Sequence, residues 1–412
     1  MSDGPGDSLS VRVATSLKAV PAGAWNACAN PHALQDALAA PCSPSAETGI
    51  DRDNPFVSHE FLSALEESRC IGGRSGWSPA YLVVEDESGQ ILAASPSFLK
   101  SHSQGEYVFD HGWADAYERA GGRYYPKLQV AAPFTPATGP RLLVADTPRA
   151  EEARAALIAG LEALRGQTQA SSVHVTFAQE PDVTALKQAG YLERNDLQFH
   201  WRNEGFAGYD DFLATLASRK RKALKRERRE AVSAGITIEA LSGSNLTEAV
   251  WDDFHGFYED TGSRKWGRPY LNREFFSRVG AAMGERIVLI MAKRAGRYIA
   301  GAINFRGANT LYGRNWGCIE DHPFLHFEVC YHQAIDYAIA HGLARVEAGA
   351  QGEHKLARGY RPVITRSLHH IADPGLRRPV ANYLAQERAE IAAAQAALEA
   401  DGPFRKIEGD ND

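Results

Sequence analysis

The sequence predicts an α+β protein of two similarly ordered units closed by a long C-terminal helix, on three observations. Strand-like and helix-period runs are interleaved from Asn54 onward. The same general order of helices and strands occurs over residues 54–205 and again over 206–373. Residues 374–399 are Ala, Glu, Arg and Leu at helical spacing, as in one long helix packing across a domain. The expected organisation is therefore an N-terminal segment, partly loose, over 1–53, a first domain over 54–205, a second over 206–373 carrying a basic helix at 218–230, and a C-terminal helix and tail over 374–412.

Taken in order, Val11 and Val13 alternate, a helical stretch centres on Trp25, and Ala, Pro, Cys and Ser around Pro41–Ser45 read as a loose loop. Phe56, Phe61, Leu62 and Leu65 recur at helical spacing, with Ser58 as cap. Ala80–Glu85 and Ile91–Leu99 flank Ser88-Gly89 as a hairpin. The aromatic run Tyr107–Trp113 and the segment Gly122–Gln129 follow, then a helix from about Pro148 to Arg165, a strand over Ser172–Phe177 and a helix over Pro181–Ala189. In the second half, helices are expected near 208–234, 245–260 and 324–341, and strands at 286–293, 298–306, 310–316, 343–348 and 364–371.

The 412 residues are 44% hydrophobic and 23% charged, which excludes a disordered or fibrous chain and leaves room for two or three domains. No apolar run approaches the roughly 18–20 residues of a bilayer crossing, and the polar start MSDGPGDSLS lacks the features of a secretion signal, so a cytoplasmic location without a transmembrane segment is expected. Five cysteines without C-x-x-C spacing read as ordinary thiols. Net charge is −6, yet Arg219–Glu230 carries +6, which leaves −12 for the remainder. Phosphate is the natural partner of the run's first cations, Arg219, Lys220, Arg221 and Lys222; a solvated helix is the alternative. Its helix-forming composition spreads the charges around most of the helix, and no aromatics interleave, so any RNA contact would be to backbone.

Arg345–Ala350 reads as a short strand, and Gln351–Tyr360 follows as a polar, glycine-punctuated loop. Glu353, His354, Lys355 and Arg358 place an acid, a base and two cations within six residues. Such a set can polarise a carbonyl and move a proton, the requirements of acyl transfer to an amine; the alternative is a solvated loop whose charges pair with one another. Upstream, Tyr312-Gly-Arg-Asn-Trp-Gly317 is a strand whose two glycines would let a ligand approach the backbone near Arg314 and Trp316. His322, His326, Glu328 and His332 share no clean helix face, and Pro323 separates His322 from the helix, so no metal is expected. His326 and Glu328 fit the helix start, as ligand contacts or as satisfied polar groups. Lys265, Trp266, Arg268 and Tyr270 could hold an anionic or carboxylate-bearing ligand, or pack as surface aromatics. The motifs of nucleotide hydrolysis, dinucleotide binding and serine-esterase chemistry are missing.

The segments Gly122-Arg-Tyr-Tyr-Pro-Lys-Leu-Gln129, Pro133-Phe-Thr-Pro136, Gly139-Pro-Arg-Leu142, Ser218-Arg-Lys-Arg-Lys222, Lys265-Trp-Gly-Arg-Pro-Tyr270, Leu325-His-Phe-Glu328 and Glu347–Tyr360 together resemble a bacterial FemAB-like family. The resemblance runs from about Asn54 to Phe404. It implies two GNAT-like (acyl-CoA N-acyltransferase) domains in tandem, as in the Fem-type transferases that move an amino acid from aminoacyl-tRNA onto a cell-wall precursor. In those enzymes a lysine in a loop of the second domain lies near the reacting centre, and Lys355, followed by Gly359-Tyr360, resembles it. One departure concerns the donor. Where GNAT acetyltransferases hold the pyrophosphate of acetyl-CoA with a glycine-rich turn, this chain has Cys318-Ile-Glu-Asp-His-Pro-Phe-Leu325.

The leading expectation is an N-acyltransferase with no permanently bound cofactor, using acyl-CoA or aminoacyl-tRNA as co-substrate and a small-molecule or peptide amine as acceptor. Lys355 would stabilise the oxyanion, Glu328 or His354 would receive the amine proton, and Arg314 and Arg358 would hold anionic groups. Arg219–Lys222 would meet donor phosphates, including those of a tRNA acceptor end. The alternative is a non-catalytic GNAT-like module that binds a cell-wall fragment or RNA.

Overall fold

A computed structural model describes residues 8–31, 53–265, 269–350 and 352–405. The described residues of the first compact unit lie within 8–31, 53–196 and 365–391, and those of the second within 197–364 and 392–405. The cuts therefore fall near 196 and 364 rather than at the expected 205 and 373.

The first unit contains β1 (Ser10–Ala14), α1 (Ala22–Ala29), α2 (His59–Glu67), β2 (Trp77–Pro79), β3 (Tyr81–Glu85), β4 (Ile91–Ser95) and β5 (Ser97–Lys100). It continues with α3 (His111–Arg119), β6 (Lys127–Val130), β7 (Leu143–Val144), α4 (Ala150–Gln167), β8 (Ser172–Ala178) and α5 (Asp182–Gln188), and with parts of β9 (Leu192–Arg202). One sheet has the order β1-β3-β4-β7, all antiparallel. In a second, β2, β5, β6 and β8 are neighbours, with β6 and β8 parallel.

Two expectations are corrected here. Residues 8–31 are built into this unit: β1 pairs with β3, and the fully buried Trp25 donates its ring N–H to Val57 O at 2.8 Å. The loose loop expected around Pro41–Ser45 lies outside the described residues. The single strand expected over Ile91–Leu99 is two strands in two sheets. The break is at Pro96, which has no N–H for a ladder, so β4 stays with β3 while β5 pairs with β2 and β6.

The motif segments of this unit form its buried polar interior. Lys127 Nζ donates to Glu106 at 2.6 Å, Ser103 at 2.7 Å and Asp110 at 2.5 Å, and Tyr124 donates to the same Asp110 at 2.7 Å. Arg141, fully buried, donates to the carbonyls of Thr176, Pro140 and Ala137 and so folds the chain between β6 and β7. Burial alone would strip these charges of water at a cost of several kcal/mol each, which the pairing offsets.

The second unit holds α6 (Tyr209–Ala214), α7 (Ser218–Ala231), β10 (Ile236–Leu241), α8 (Glu248–Lys265), α9 (Arg273–Met283), β11 (Ile287–Arg294), β12 (Arg297–Arg306) and β13 (Thr310–Cys318). Next come α10 (Leu325–Phe327), a π turn (Glu328–His332), α11 (Gln333–Ala340), β14 (Arg345–Glu347), a 3-10 turn (Glu353–Arg358) and the start of β15 (Arg361–Ile371). Its sheet runs β10-β11-β12-β13-β14 and then residues 200–202 of β9, with only β13 and β14 parallel. Ile290, Ala300, Leu311 and Val346 of the sheet pack with Val329, Ile335 and Ala338.

The helix expected over 208–234 is interrupted between α6 and α7. In α7 the cations spread around most of the helix, and the remaining face buries Leu224, Glu227 and Ala231. The long terminal helix α12 (Pro374–Ala400) is present, but it is no separate element: Leu376, Val380 and Leu384 pack with Trp113 and Tyr124 in the first unit.

The glycines of β13 were expected to admit a ligand. At Gly317 the space is taken by α8 instead, because a Cβ there would run into the Phe257 carbonyl. Gly317→Ala is therefore expected to destabilise the protein by about 1–3 kcal/mol in denaturant unfolding, since a backbone carbonyl cannot swing aside as a side chain can.

Candidate active site

The second unit's parallel strands part almost as soon as they pair. β14 meets β13 only at Thr310, Leu311 and Tyr312, opposite Arg345, Val346 and Glu347, while β13 continues to Cys318. Past the parting, Trp316 pairs with Ala302 and Gly313 with Asn304, which leaves Arg314 and Asn315 opposite Ile303 as a bulge. A bulge re-aims its side chains and weakens regular pairing, a feature common beside functional sites.

Lys355 reaches this parting from the 3-10 turn. Its side chain is 1% exposed and its Nζ donates to the carbonyl of Gly349, two residues beyond β14, at 3.0 Å. Burial pulls its pKa from 10.5 to about 8, with the nearby Cys330 thiol opposing that shift. The turn closes on Gly359 at φ +82, a left-handed position where a Cβ would also meet the Phe212 ring, and Tyr360 then enters the core.

Charged groups clamp the turn. Glu227 of α7 takes Arg358 in a two-point ion pair, Nε to Oε1 at 2.8 Å and Nη2 to Oε2 at 2.6 Å, and also accepts from His332 Nε2 at 2.7 Å. Tyr209 OH lies 2.5 Å from the other His332 nitrogen. Burial raises the Glu227 pKa, but His332 and Arg358 outweigh it and hold the carboxyl below its ordinary value. Arg358 also donates to His354 O at 2.7 Å and lies 3.4 Å from the Phe327 ring centre. His354 meets Tyr331 OH at 2.9 Å; burial, then Arg358 and Lys355, lower its pKa, so it is a neutral imidazole near pH 7. His326 bridges the Trp316 ring and those of Phe327, Tyr331 and His354.

Lys355, His354, Arg358, Tyr360, His326 and Trp316 are thus brought into one neighbourhood, with His354 and the adjacent Glu353 exposed. The polar loop expected here is a 3-10 turn with Lys355 and Arg358 buried. Two roles are corrected. Glu328 is not available as a proton acceptor: it is 2% exposed and its carboxylate accepts from Arg228 at 2.8 Å and Gln333 at 2.7 Å. Arg358 is not available to hold a ligand anion, because its fork is committed to Glu227. Arg314 is half-buried on the bulge, while Arg219, Lys220 and Lys222 are exposed and Arg221 is half-buried with one N–H directed at Leu216 O. Trp266 and Arg268 and the Lys265 side chain lie outside the described residues; Tyr270 is 39% exposed. In the Cys318–Leu325 segment, Glu320 is tied to Arg294 at 2.7 Å and to His322 at 2.9 Å. No group of three potential metal ligands converges among the described residues.

Glu227, Tyr209, Tyr331 and Phe327 were missed, and His332 was weighed only as a metal ligand. Glu227 had left a trace: with Leu224 and Ala231 it forms an i, i+3, i+7 stripe inside the basic run.

The buried amine has a pH signature. Lys355 binds its proton less tightly folded than unfolded, so the unfolded chain carries more proton between about pH 8 and 10.5, and stability from this group rises across that window. Below it the full cost of burying the ammonium is present. Lys355→Met should therefore raise the melting temperature at pH 7, and the gap to the wild type should shrink between about pH 8 and 10.5, measured by calorimetry at stepped pH.

No curated protein matches this chain. Among solved structures, FemX aligns with a TM-score of 0.51 at 12% identity, over 80% of this chain and 96% of FemX. L-PGS from Bacillus licheniformis aligns at 0.48 and 10% identity, over 82% and 98% of the two chains. A tandem GNAT protein from the clavulanic acid biosynthesis pathway aligns at 0.44 and 14%, over 89% and 99%. The fold is α+β with a long C-terminal helix, as the sequence led us to expect, and it is similar to that of FemX. The FemAB-like family model, described as peptidoglycan biosynthesis/recognition, matches residues 16–406, and the chain belongs to that family.

Proposed function

We propose that the protein is an N-acyltransferase that moves an acyl or aminoacyl group from a phosphate-bearing carrier to an amine, in keeping with a family described by peptidoglycan biosynthesis/recognition. The observation that carries this reading is the Lys355 amine, buried at the parting of β13 and β14 with its pKa drawn down to about 8. An ammonium in a dry site stabilises a developing oxyanion far better than one in water.

In the reaction, the acceptor amine attacks the donor carbonyl directly, forming the C–N bond, and the Lys355 ammonium faces the oxyanion. His354, a neutral imidazole in reach of the same turn, takes the amine proton. The C–O or C–S bond to the carrier then breaks, and the leaving oxygen or sulfur takes that proton from His354, which returns to its neutral form. Holding both reactants at one strand edge supplies the remaining advantage by removing their relative motion.

The carrier is favoured to be aminoacyl-tRNA over acyl-CoA. α7 has 14 residues, about 21 Å of helix, with Arg219, Lys220 and Lys222 exposed, which suits an extended phosphate backbone better than one pyrophosphate. The Cys318–Leu325 segment offers the paired carboxylate of Glu320 in place of a glycine cradle. A second reading, a binding module without turnover, draws support from the Lys355 bond to Gly349 O, which would satisfy a purely structural amine.

Lys355→Ala is expected to lower the transfer rate about 10²-fold or more, with carrier binding retained; a protein that keeps full activity excludes the mechanism. Wild-type activity should fall on the alkaline side with a midpoint near pH 8, as the ammonium is lost. Replacing Arg219, Lys220 and Lys222 by Glu should weaken binding of charged tRNA and flatten its salt dependence, whereas thermal stabilisation by CoA but not by charged tRNA would reverse the choice of carrier.

A further inference from the structure

We propose that Glu227, on the inward face of the basic helix, is the positioning residue that sets the Lys355 amine at the β13/β14 parting, acting through Arg358 and His332. Glu227 is 8% exposed, and its two oxygens receive three N–H groups: Arg358 Nε at 2.8 Å, Arg358 Nη2 at 2.6 Å and His332 Nε2 at 2.7 Å. A carboxylate only accepts, so His332 donates through Nε2, and Tyr209 OH meets its Nδ1 at 2.5 Å.

Both partners lead to the lysine. Arg358 follows Lys355 by three residues in one 3-10 turn, where positions i and i+3 eclipse, so fixing one side chain fixes the direction of the other. A third N–H of Arg358 spans back to His354 O at 2.7 Å and locks the turn between the two residues proposed to act. His332 ends the π turn that also carries Cys330, whose thiol is felt at the Lys355 amine. One carboxylate thereby fixes the turn bearing the amine and the helix wall it faces. Beside the His354 contact with Tyr331 at 2.9 Å and the packing of Arg358 on Phe327, the two-point pair with Glu227 adds the directional restraint that a polarising group requires.

Stability does not explain the arrangement as well. Buried ion pairs are often replaced by apolar residues without loss of stability, so a three-way pair on a six-residue turn is better explained by geometry than by cohesion. The same helix carries Arg219, Lys220 and Lys222 on its outer side, which places the candidate donor contacts and the tether of the amine on one rigid element.

The inference rests on the transferase reading only for its kinetic arm, so two readouts are needed. Competitive acetylation of the intact chain across neutral and alkaline pH, read by mass spectrometry at Lys355, gives the amine's midpoint, expected at about 8 in the wild type. In Glu227→Gln the released turn admits water, and the midpoint should rise by on the order of one unit toward the ordinary lysine value. Transfer kcat should fall about 10–100-fold with the carrier KM within about twofold, and Glu227→Asp should recover part of both. Because Gln strands a buried guanidinium, the double variant Glu227→Gln/Arg358→Met, which removes both charges, is made alongside it and should show the same midpoint shift with the fold intact. A folded variant with unchanged midpoint overturns the proposal. So does failure of both variants to fold, which would make the carboxylate a support of the whole unit. A shifted midpoint in a protein with no detectable transfer upholds the tether and removes the enzymatic reading; slowed transfer with a fixed midpoint does the reverse.

Discussion

A helix, a π turn and a 3-10 turn of the second unit share the carboxylate of Glu227. Its pairing with Arg358 and His332 is buried, and removing one member of such a set typically costs about 3–5 kcal/mol because the other charge is left without water. That constraint propagates outward. α7 must present Glu227 inward, which leaves Arg219, Lys220 and Lys222 facing outward, and the 353–358 turn must keep Arg358 pointing back, which directs Lys355 toward Gly349.

The parting of β13 and β14 gives this arrangement its chemistry. Parallel pairing limited to three residues leaves the rest of β13 without β14, and the bulge at Arg314-Asn315 breaks its regular ladder to β12 as well. An amine buried there loses hydration, and the loss draws its pKa toward neutrality. Desolvation, which costs stability, is the same effect that would make the ammonium a strong electrostatic partner for a developing negative charge. The first unit buries charge differently. Lys127 is paired with both Glu106 and Asp110, and Tyr124 with Asp110, although Glu106 Oε1 and Asp110 Oδ1 are buried without a hydrogen bond.

Much of the fold was legible because periodicity is a local property. The strands at 286–293 and 298–306 and the helices at 148–165 and 374–399 were found within a few residues of β11, β12, α4 and α12. Errors arose where one residue outweighed a pattern: Pro96 divided an apparently continuous strand by lacking an N–H, and Gly317 served a crossing helix backbone where a ligand had been expected. The candidate site was half legible. His354, Lys355 and Arg358 could be read as a set because they are adjacent in sequence, but Glu328 was misassigned, since its partner Arg228 lies 100 residues away.

From the sequence alone came the α+β class, the repeated order of elements and the closeness of His354, Lys355 and Arg358. All of these are carried by spacing and composition along the chain, which no packing is needed to express; the family resemblance was carried by particular motif segments. Tertiary structure alone decided which charges are free and which are spent. Arg358 and Arg219 are chemically identical in the sequence, yet one is buried in a fork against Glu227 and the other faces solvent. The difference is desolvation and pairing, and both depend on what lies across space from a side chain.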